Sequence, residues 1–485
     1  MLSYGECQKI LENAQGSAVR VKLLDYRLVR DLSAIGYLGD YYALTLRYCH
    51  EEEEIIREIE FFVKAMPQQS AELAKESIFQ KESWLYDTLI KKLQALSNVK
   101  WSPDCVYSRK DLMVLENIKL KGFTAAGSAE LNEKFMKPLI KSVAAFHSAS
   151  LVYEHQTKTN IGHTYGDNLL EITVDSEIAW FTTGLSAVLA VVRSLDKYQG
   201  NREQSFIDDK LMGIMGRIYE QAAPSKKYRN VLCIEILAVA AERSASVDYE
   251  HQTKTNIGLT YGDNLLEITS HSEIAWFTTG LSVVLAVVRS LDKYQGNREQ
   301  SFIDDKLMGI MGRIYEQAAP SKKYRNVLCH RDLWAGNIFF PPENSGPALL
   351  IDFQTCRYAP PASDLNFCLY MNLSSSKRTQ MEKRGIDLYH TYMLQNLLEL
   401  GLEELAISKS ELLESYEEFR LFGVVYRAVA ATVVKVPTDF VTNDFKYVDR
   451  SKVILSYMKT SPEFAAYMEE CCVDVMEMAL ARANM

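Results

Sequence analysis

The stretch "NVLCHRDLWAGNIFF" at residues 326–340 sets two short apolar runs on either side of a polar loop. "NVLC" and "IFF" have the length and the side chains of buried β-strands. The loop between them contains His330, Asp332 and Asn337 in the pattern His-x-Asp-x₄-Asn. Acid–base and metal-binding side chains are thereby concentrated in one loop. His330 and Asp332 are therefore candidate catalytic residues, and Asn337 is a candidate metal ligand.

Downstream of this loop the chain is predicted to turn back. "PPENSGP" (341–347) is rich in turn residues, and "ALLIDF" (348–353) predicts a return strand that ends at Asp352. A strand, loop, hairpin and aspartate in this order suit phosphoryl transfer, in which Asp332 accepts the proton of an attacking hydroxyl. Asn337 and Asp352 would converge on Mg²⁺ ions that bridge the phosphates of a nucleotide, because this hard cation prefers oxygen ligands.

Two upstream segments supply the other parts that phosphoryl transfer needs. "EIEFFVKAMP" predicts an apolar strand, and its Lys64 is placed to touch the α- and β-phosphates of ATP. "FQKESWLYDTLIKKL" predicts a helix in which Glu82 pairs with Lys64, and Glu76 is the rival partner. Lys64 and Glu82 are therefore candidate cofactor-binding residues.

Backbone contacts to the nucleotide are predicted at two further places. "SAIGYLGDYYALTLRY" (33–48) has Gly36 and Gly39 between two strand-like runs, where backbone amides can approach phosphates. "LMVLENIKLKGF" (112–123) changes from an apolar strand to a polar link at Glu116. This link is predicted to join two lobes and to meet the adenine through its backbone.

The chain also contains a long internal repeat. Residues 153–233 recur at 249–329 with a constant offset of 96 residues and differ at only four positions. Two nearly identical copies do not fit a solenoid, whose repeats diverge and number at least three. The simpler interpretation is a recent duplication of a coding segment, or a sequence-assembly error that resembles one. We expect one copy's helices to pack in the domain and the other's to lie outside, so that removal of residues 154–249 leaves the active site unchanged.

The composition excludes several functional classes. The chain has 485 residues, of which 47% are hydrophobic and 24% charged, and a net charge of −9, which argues against nucleic-acid binding. Its nine cysteines form no Cys-x-x-Cys pair, and their odd number favours free thiols in a reducing compartment. The apolar runs are too short to span a membrane. We expect a cytoplasmic protein, and the oligomeric state stays open.

These motifs together resemble the ecdysteroid-kinase-like (choline/ethanolamine-kinase-like) small-molecule kinases of insects, relatives of the aminoglycoside phosphotransferases. The segments that carry the resemblance cover most of the chain: "FFVKAMP", "FQKESWLYDTL", "VLENI" with the following "GF", "SVAAFHSAS", "CHRDLWAGNIFF" and "LLIDFQTCRYAPPASDLNF". Two departures from the family pattern are Arg331, where relatives often carry a small residue, and Asn117, where an aspartate is common.

The resemblance implies an α+β, two-lobed protein-kinase-like fold. Residues 1–117 would form a β-rich nucleotide-binding lobe, and residues 118–485 an α-rich lobe with the catalytic loop and the duplicated helical segment. It also implies ATP- and Mg²⁺-dependent phosphorylation of a small-molecule alcohol. Asp364 and His147 match family positions and are expected to have structural roles, His147 by packing between helices.

Three functions remain open at this point. The first is an active small-molecule kinase. Its C-terminal helices would wall the acceptor pocket, and their apolar side chains are compatible with an apolar alcohol such as an ecdysteroid, although ordinary core packing explains these side chains equally well. The second is a catalytically inactive kinase-like binding protein that the duplication has disrupted. The third, a protein kinase, is disfavoured because Asp-Phe-Gln stands at 352–354, where a protein kinase has Asp-Phe-Gly, and because the segment from Asp352 to Asp364 is too short for an activation loop.

Overall fold

An antiparallel sheet of five strands in the order β1-β2-β3-β5-β4 forms the N-terminal part of the fold. Every neighbouring pair of these strands is antiparallel. The strands are β1 Val21–Arg30, β2 Asp40–His50, β3 Arg57–Ala65, β4 Cys105–Arg109 and β5 Leu112–Glu116.

The computed structural model describes residues 2–16, 19–31, 39–50, 55–67, 73–126, 131–169, 284, 287–289, 291–307, 310, 321–437 and 451–483.

Helix α1 (Tyr4–Gln15) covers one face of this sheet. It begins at Ser3, whose side chain accepts a hydrogen bond from the backbone of Glu6 in a capping box. Along β2 the buried residues alternate with less buried ones, as expected for a strand with a single core face. The core beneath α1 is built from apolar side chains of the helix and the strands: Cys7, Ile10, Leu11, Leu23, Leu44, Leu46, Phe61, Val63 and Val114.

The predicted helix that carries Glu82 is longer than the sequence motif and irregular. Helix α2 (Leu73–Leu85) continues through a single π-helical turn, Tyr86–Ile90, into the short helix α3 (Lys91–Ala95). Turns of this type recur at functional sites in helices. Here the turn follows Glu82 directly, and its Tyr86 lies edge-on to Phe353 at 5.4 Å between ring centroids.

Short strands and long helices make up the rest of the described chain. One small sheet has the order β6-β8-β9, and β7 pairs with β10 in another. These strands are β6 Thr124–Ala125, β7 Val327–Cys329, β8 Ile338–Phe340, β9 Leu349–Leu350 and β10 Arg357–Ala359. The helices are α4 Glu133–Thr157, α5 Ile161–Thr164, α6 Asn297–Phe302, α7 Ala362–Tyr370, α8 Ser375–Leu398, α9 Lys409–Val434, α10 Ser451–Thr460 and α11 Pro462–Ala483.

The predicted α+β fold class is confirmed, with a sheet in the N-terminal region and mostly helices after it. The strands predicted for "NVLC", "IFF" and "ALLIDF" are present as β7, β8 and β9. Within the described part of the chain, none of the helices combines the length and the apolarity that crossing a bilayer demands. The lobe boundary at residue 117 stays a prediction.

The chain divides into two compact units. The first comprises residues 1–172 and 323–416, and the second comprises 173–322 and 417–485. In the second unit, Arg427 is buried and donates to Asp474 at 2.9 Å and to Glu470 at 2.6 Å. All the predicted site residues fall in the first unit.

In the first unit, the beginning of the first repeat copy contacts the end of the second copy. Glu154 accepts hydrogen bonds from Arg325 and from the Tyr358 hydroxyl, both at 2.7 Å. Asn160 donates to the same hydroxyl at 2.8 Å, and Gly162 packs against the Tyr358 ring. These contacts hold β7 in place before the catalytic loop. Most of the remaining repeat lies outside the described residues, so the expected placement of its helices stays a prediction.

The contact at Gly162 allows an experiment to determine which of the two repeat copies packs against Tyr358. A Cβ on Gly162 would lie 2.4 Å from Cδ1 of Tyr358, so Gly162→Ala overpacks the contact and should lower the free energy of unfolding by about 1–3 kcal/mol. The matched control is Gly258→Ala, the same change at the counterpart in the other copy, which should have a much smaller effect. Thermal unfolding of both variants measures the difference. Equal losses would contradict the assignment of the first copy to this contact.

Candidate active site

A buried ion-pair cluster around Lys64 forms the middle of the site. The Lys64 Nζ atom lies 2.6 Å from Oε2 of Glu82 and 3.1 Å from Oδ1 of Asp352. Lys64 and Glu82 are only 6% and 1% exposed. The predicted contact between Lys64 and Glu82 is therefore confirmed. Glu76 is exposed and accepts a hydrogen bond from Gln80 instead.

The charges in this cluster depend on one another. Burial by itself would lower the pKa of Lys64, but the carboxylates of Asp352 and Glu82 outweigh it and raise that pKa above its usual value. The amine therefore stays charged. Burial raises the pKa of Glu82 to about 7, although the ammonium of Lys64 opposes this rise. A positive charge kept in a dry site by two carboxylates is suited to binding phosphate oxygens.

The backbone around Asp352 is held in an unusual conformation. Asp352 has a φ of 65°, in the left-handed region that costs most residues energy but that aspartate tolerates. The side chain of Gln354 donates to Oδ2 of Asp352 at 3.3 Å. Phe353, between them, is buried against an aromatic cluster of Tyr86, Trp101 and Phe146. This packing fixes the direction in which the Asp352 carboxylate points.

The catalytic-loop candidates Asp332 and Asn337 contact each other. The Nδ2 atom of Asn337 donates to Oδ2 of Asp332 at 2.8 Å and to its backbone oxygen at 3.0 Å. The backbone amide of Ile351 donates to the carbonyl of Asn337 at 3.1 Å, which places Asn337 beside the residue before Asp352. The hairpin thus brings Asp332, Asn337 and Asp352 into one region, as the sequence predicts.

His330 is fully buried and uses both of its ring nitrogens within the protein. Its Nε2 donates to the carbonyl of Ile351 at 2.9 Å, and its Nδ1 accepts from the amide of Asp332 at 3.2 Å. This pattern requires the neutral tautomer with its hydrogen on Nε2. Burial lowers the pKa of His330, although the charge of Asp364 opposes this effect. The imidazole thereby ties the loop to the strand before Asp352.

Asp364 binds the start of the same loop. Its carboxylate accepts hydrogen bonds from the backbone amides of His330, at 2.6 Å, and of Arg331, at 2.8 Å. The His147 ring bridges Asp364 and the Tyr389 hydroxyl, at 3.0 and 2.8 Å. Burial opposes ionisation of Asp364, but the hydrogen bond and charge of His147 hold its pKa below the usual value. These contacts agree with the structural roles expected of Asp364 and His147.

The remaining nucleotide-binding candidates stand at the edges of this cluster. Gly39 lies against Lys64, because a Cβ there would be 3.1 Å from Cγ of the lysine. Gly36 lies outside the described residues. The Glu116 side chain pairs with Lys100 at 2.6 Å and with Lys121. The contact of its backbone with the adenine stays a prediction.

Asn117, which differs from the family pattern, donates to Oε1 of Glu60 at 2.8 Å. The aspartate common at this position would instead repel that carboxylate. The departure at 117 is therefore matched by a partner on β3, and it does not touch the cluster around Lys64.

Sequence reasoning missed two residues of this site. Gln354 contacts Asp352, and Tyr41 lies directly across from Lys64 on the neighbouring strand β2. The signal for Tyr41 was present in "DYYALTLRY", because the two-residue period of a strand assigns alternate side chains to the face opposite the core. The signal for Gln354 was its position two residues after a predicted metal ligand.

Two oxygen-bearing side chains can hold a magnesium ion here. The amide nitrogen of Asn337 is turned towards Asp332, so its Oδ1 is the atom left to bind a cation. Asp352 offers a carboxylate close to it along the hairpin. An amide oxygen and a carboxylate are ligands that Mg²⁺ accepts, and Mg²⁺ commonly takes its other ligands from water and phosphate. The residues present therefore fit the metal.

Because Lys64 pairs with Glu82 and not with Glu76, substitution of these two glutamates of α2 should affect turnover differently. Glu82→Gln removes the buried charge that aligns Lys64, so turnover should fall roughly 10–100-fold as that ammonium shifts. Glu76→Gln is the matched control and should leave turnover unchanged, because Glu76 is exposed. Steady-state assays of ATP consumption compare the two. Equal rates in the two variants would contradict the assigned partner of Lys64.

Comparison with known families places these motifs in context. The sequence model of the ecdysteroid kinase-like family matches residues 34–234 and 243–402. The gap between the two matched stretches falls near the junction of the two repeat copies. No curated protein matches the chain.

Several solved structures resemble the chain at low identity. An ethanolamine kinase of Plasmodium vivax is 12% identical, with a TM-score of 0.35, over 96% of this chain and 89% of that one. The aminoglycoside phosphotransferase APH(2")-IIa in its gentamicin complex is 12% identical, with a TM-score of 0.32, over 99% and 98% of the two chains. Its complex with streptomycin and ATP is also 12% identical, with a TM-score of 0.30, over 92% and 96%.

Proposed function

Because the chain belongs to the ecdysteroid kinase-like family, we propose that it transfers the γ-phosphate of ATP to the hydroxyl of a small molecule. The observation that carries this proposal is the contact of Lys64 with both Glu82 and Asp352. One cation between two carboxylates, beside the pair Asp332 and Asn337, combines a phosphate contact, metal ligands and a base. Residues 1–117 would form the nucleotide-binding lobe, and residues 118–485 the catalytic lobe.

In this proposal the nucleotide binds through charge and backbone contacts. Lys64 contacts the α- and β-phosphates, and Glu82 keeps its ammonium in place. The backbone at Gly36 and Gly39 approaches the phosphates, and the backbone at Glu116 meets the adenine. Asn337 and Asp352 would hold Mg²⁺, which neutralises charge on the phosphates when it is bound.

Asp332 acts as the base in the proposed reaction. Its carboxylate accepts the proton of the substrate hydroxyl as the oxygen attacks the γ-phosphorus, and ADP leaves. The hydrogen bond from Asn337 orients one oxygen of this carboxylate. His330 is neutral and bonded on both sides, so we assign it a positioning role in place of direct proton transfer. Asp364 holds the backbone of the same loop.

The proposed acceptor is an apolar alcohol such as an ecdysteroid. The aromatic and aliphatic residues of the C-terminal part of the sequence are compatible with such an acceptor. We place the enzyme in the cytoplasm, because the eight described cysteines are all free thiols, which suits a reducing compartment.

The alternative is a kinase-like binding protein without activity, and the repeat is the observation that favours it. A chain with extra residues between α4 and the catalytic loop could bind nucleotide and fail to turn it over. The described contacts speak for activity, since all four residues are present, Lys64 contacts Asp352, and Asn337 contacts Asp332. ATP turnover with a panel of alcohols separates the two functions.

Substitutions of Asp332 and Asp352 should impair different steps, catalysis and nucleotide binding respectively. Asp332→Asn removes the base, so turnover should fall by roughly 10²–10⁴-fold while ATP affinity stays nearly unchanged. Asp352→Ala removes a metal ligand, so Mg²⁺-dependent ATP binding should be abolished. Product formation and calorimetric ATP titrations measure the two effects. If both changes weakened ATP binding equally, the assigned roles would be wrong.

A further inference from the structure

Tyr41 occupies the position directly opposite Lys64 in the sheet. It lies on β2, and its pairing partner on the antiparallel strand β3 is Lys64. Directly opposite residues in an antiparallel pair project their side chains from the same face. The next residue, Tyr42, packs with the core beneath α1 on the other face. Tyr41 therefore shares the face that carries the Lys64 ammonium and is not part of that core.

The aromatic ring of Tyr41 is held in place, and its hydroxyl has no hydrogen-bond partner among the residues that the structure describes. The ring stacks on Phe62 with 5.7 Å between centroids and an interplanar angle of 23°. Within the described residues, the hydroxyl makes no hydrogen bond. Burial raises the pKa of Tyr41 to about 12, with the charges of Lys64, Asp352 and Glu82 also acting on it. The phenol therefore keeps its proton and is a hydrogen-bond donor at neutral pH.

We propose that Tyr41 is a further nucleotide-binding residue, whose hydroxyl donates to a phosphate oxygen of the nucleotide beside Lys64. This inference rests on the proposed function. The position explains why a donor is suitable: a neutral hydroxyl adds a directed hydrogen bond next to the ammonium without adding charge to a cluster that already contains one cation and two carboxylates. The stack on Phe62 reduces the entropy lost when the hydroxyl is fixed on the phosphate.

The register between β2 and β3 indicates that the Tyr41 hydroxyl contacts a phosphate and not the adenine. Lys64 is the phosphate contact, and Tyr41 is directly opposite it. Phe62 lies two residues earlier on β3, on the same face and opposite Ala43. The adenine would lie towards Phe62 and the linker at Glu116, since Phe62 is paired with Leu115, the residue before Glu116. We place the Tyr41 hydroxyl at the Lys64 end of this face, because Tyr41 pairs with Lys64 and the charge of Lys64 acts on the phenol.

The test compares two tyrosines on opposite faces of one strand. Tyr41→Phe keeps the stacked ring and removes only the hydroxyl, so calorimetric titration with Mg²⁺–ATP should show an affinity roughly tenfold weaker than wild type. Titration with adenosine, which has no phosphate, should give the same affinity for wild type and Tyr41→Phe. Tyr42→Phe is the matched control, and its affinity for Mg²⁺–ATP should equal that of the wild type.

Each other outcome has a distinct meaning. If wild type binds Mg²⁺–ATP and Tyr41→Phe binds it equally well, the inference is overturned and the proposed function stands. If Tyr41→Phe weakens adenosine as much as ATP, the hydroxyl acts on the nucleoside and the phosphate contact is refuted. If wild type binds no nucleotide, the proposed function fails, and this inference fails with it.

Discussion

The buried ammonium of Lys64 is the interaction on which the rest of the site depends. A charge at this depth is stable only with partners that neutralise it, and the two partners come from different elements of the fold. Glu82 arrives on α2, and Asp352 arrives 288 residues after Lys64 in sequence. Bringing the three together requires the sheet to present Lys64, the helix to pack beside it and the hairpin to reach it. The fold of the first unit meets all three requirements.

A second constraint acts on the loop that carries Asp332. The only regular structure in this loop is a short 3₁₀ turn at Ala335–Asn337, and buried hydrogen bonds from neighbouring residues define the shape of the rest. Asp364 binds its first two amides, and the neutral ring of His330 joins it to the strand before Asp352. The proposed base and the proposed metal ligand are therefore positioned by residues that need not contact the substrate. In preorganised sites generally, partly exposed functional side chains are held by neighbouring residues that are buried and hydrogen-bonded.

Much of the site was predictable from sequence because its parts lie in short local patterns. The apolar run before Lys64, the helical spacing around Glu82 and the two strands that flank the catalytic loop each predict their own local structure. Pairing Lys64 with Glu82 needed only the order of these segments.

Other features depend on contacts that no local pattern contains. The π-helical turn after Glu82 and the hydrogen bonds of His330 arise only when the segments pack together. Tyr41 could have been identified once Lys64 was assigned, but only with the register between β2 and β3 in hand. The repeat is the hardest case, since identical copies offer identical local signals. Contacts at the start of the first copy, such as Glu154 with Arg325 and Asn160 with Tyr358, indicate which ends are used.

The most direct measurement is a calorimetric titration of the wild-type protein with ATP, once in excess Mg²⁺ and once with the metal chelated. If Lys64, Asn337 and Asp352 form a metal–nucleotide site, ATP should bind with Mg²⁺, and its affinity should fall at least about tenfold without the metal, because the phosphates would then face the carboxylate of Asp352 directly. Equal affinities under the two conditions, or no binding in either, would contradict this account of the site.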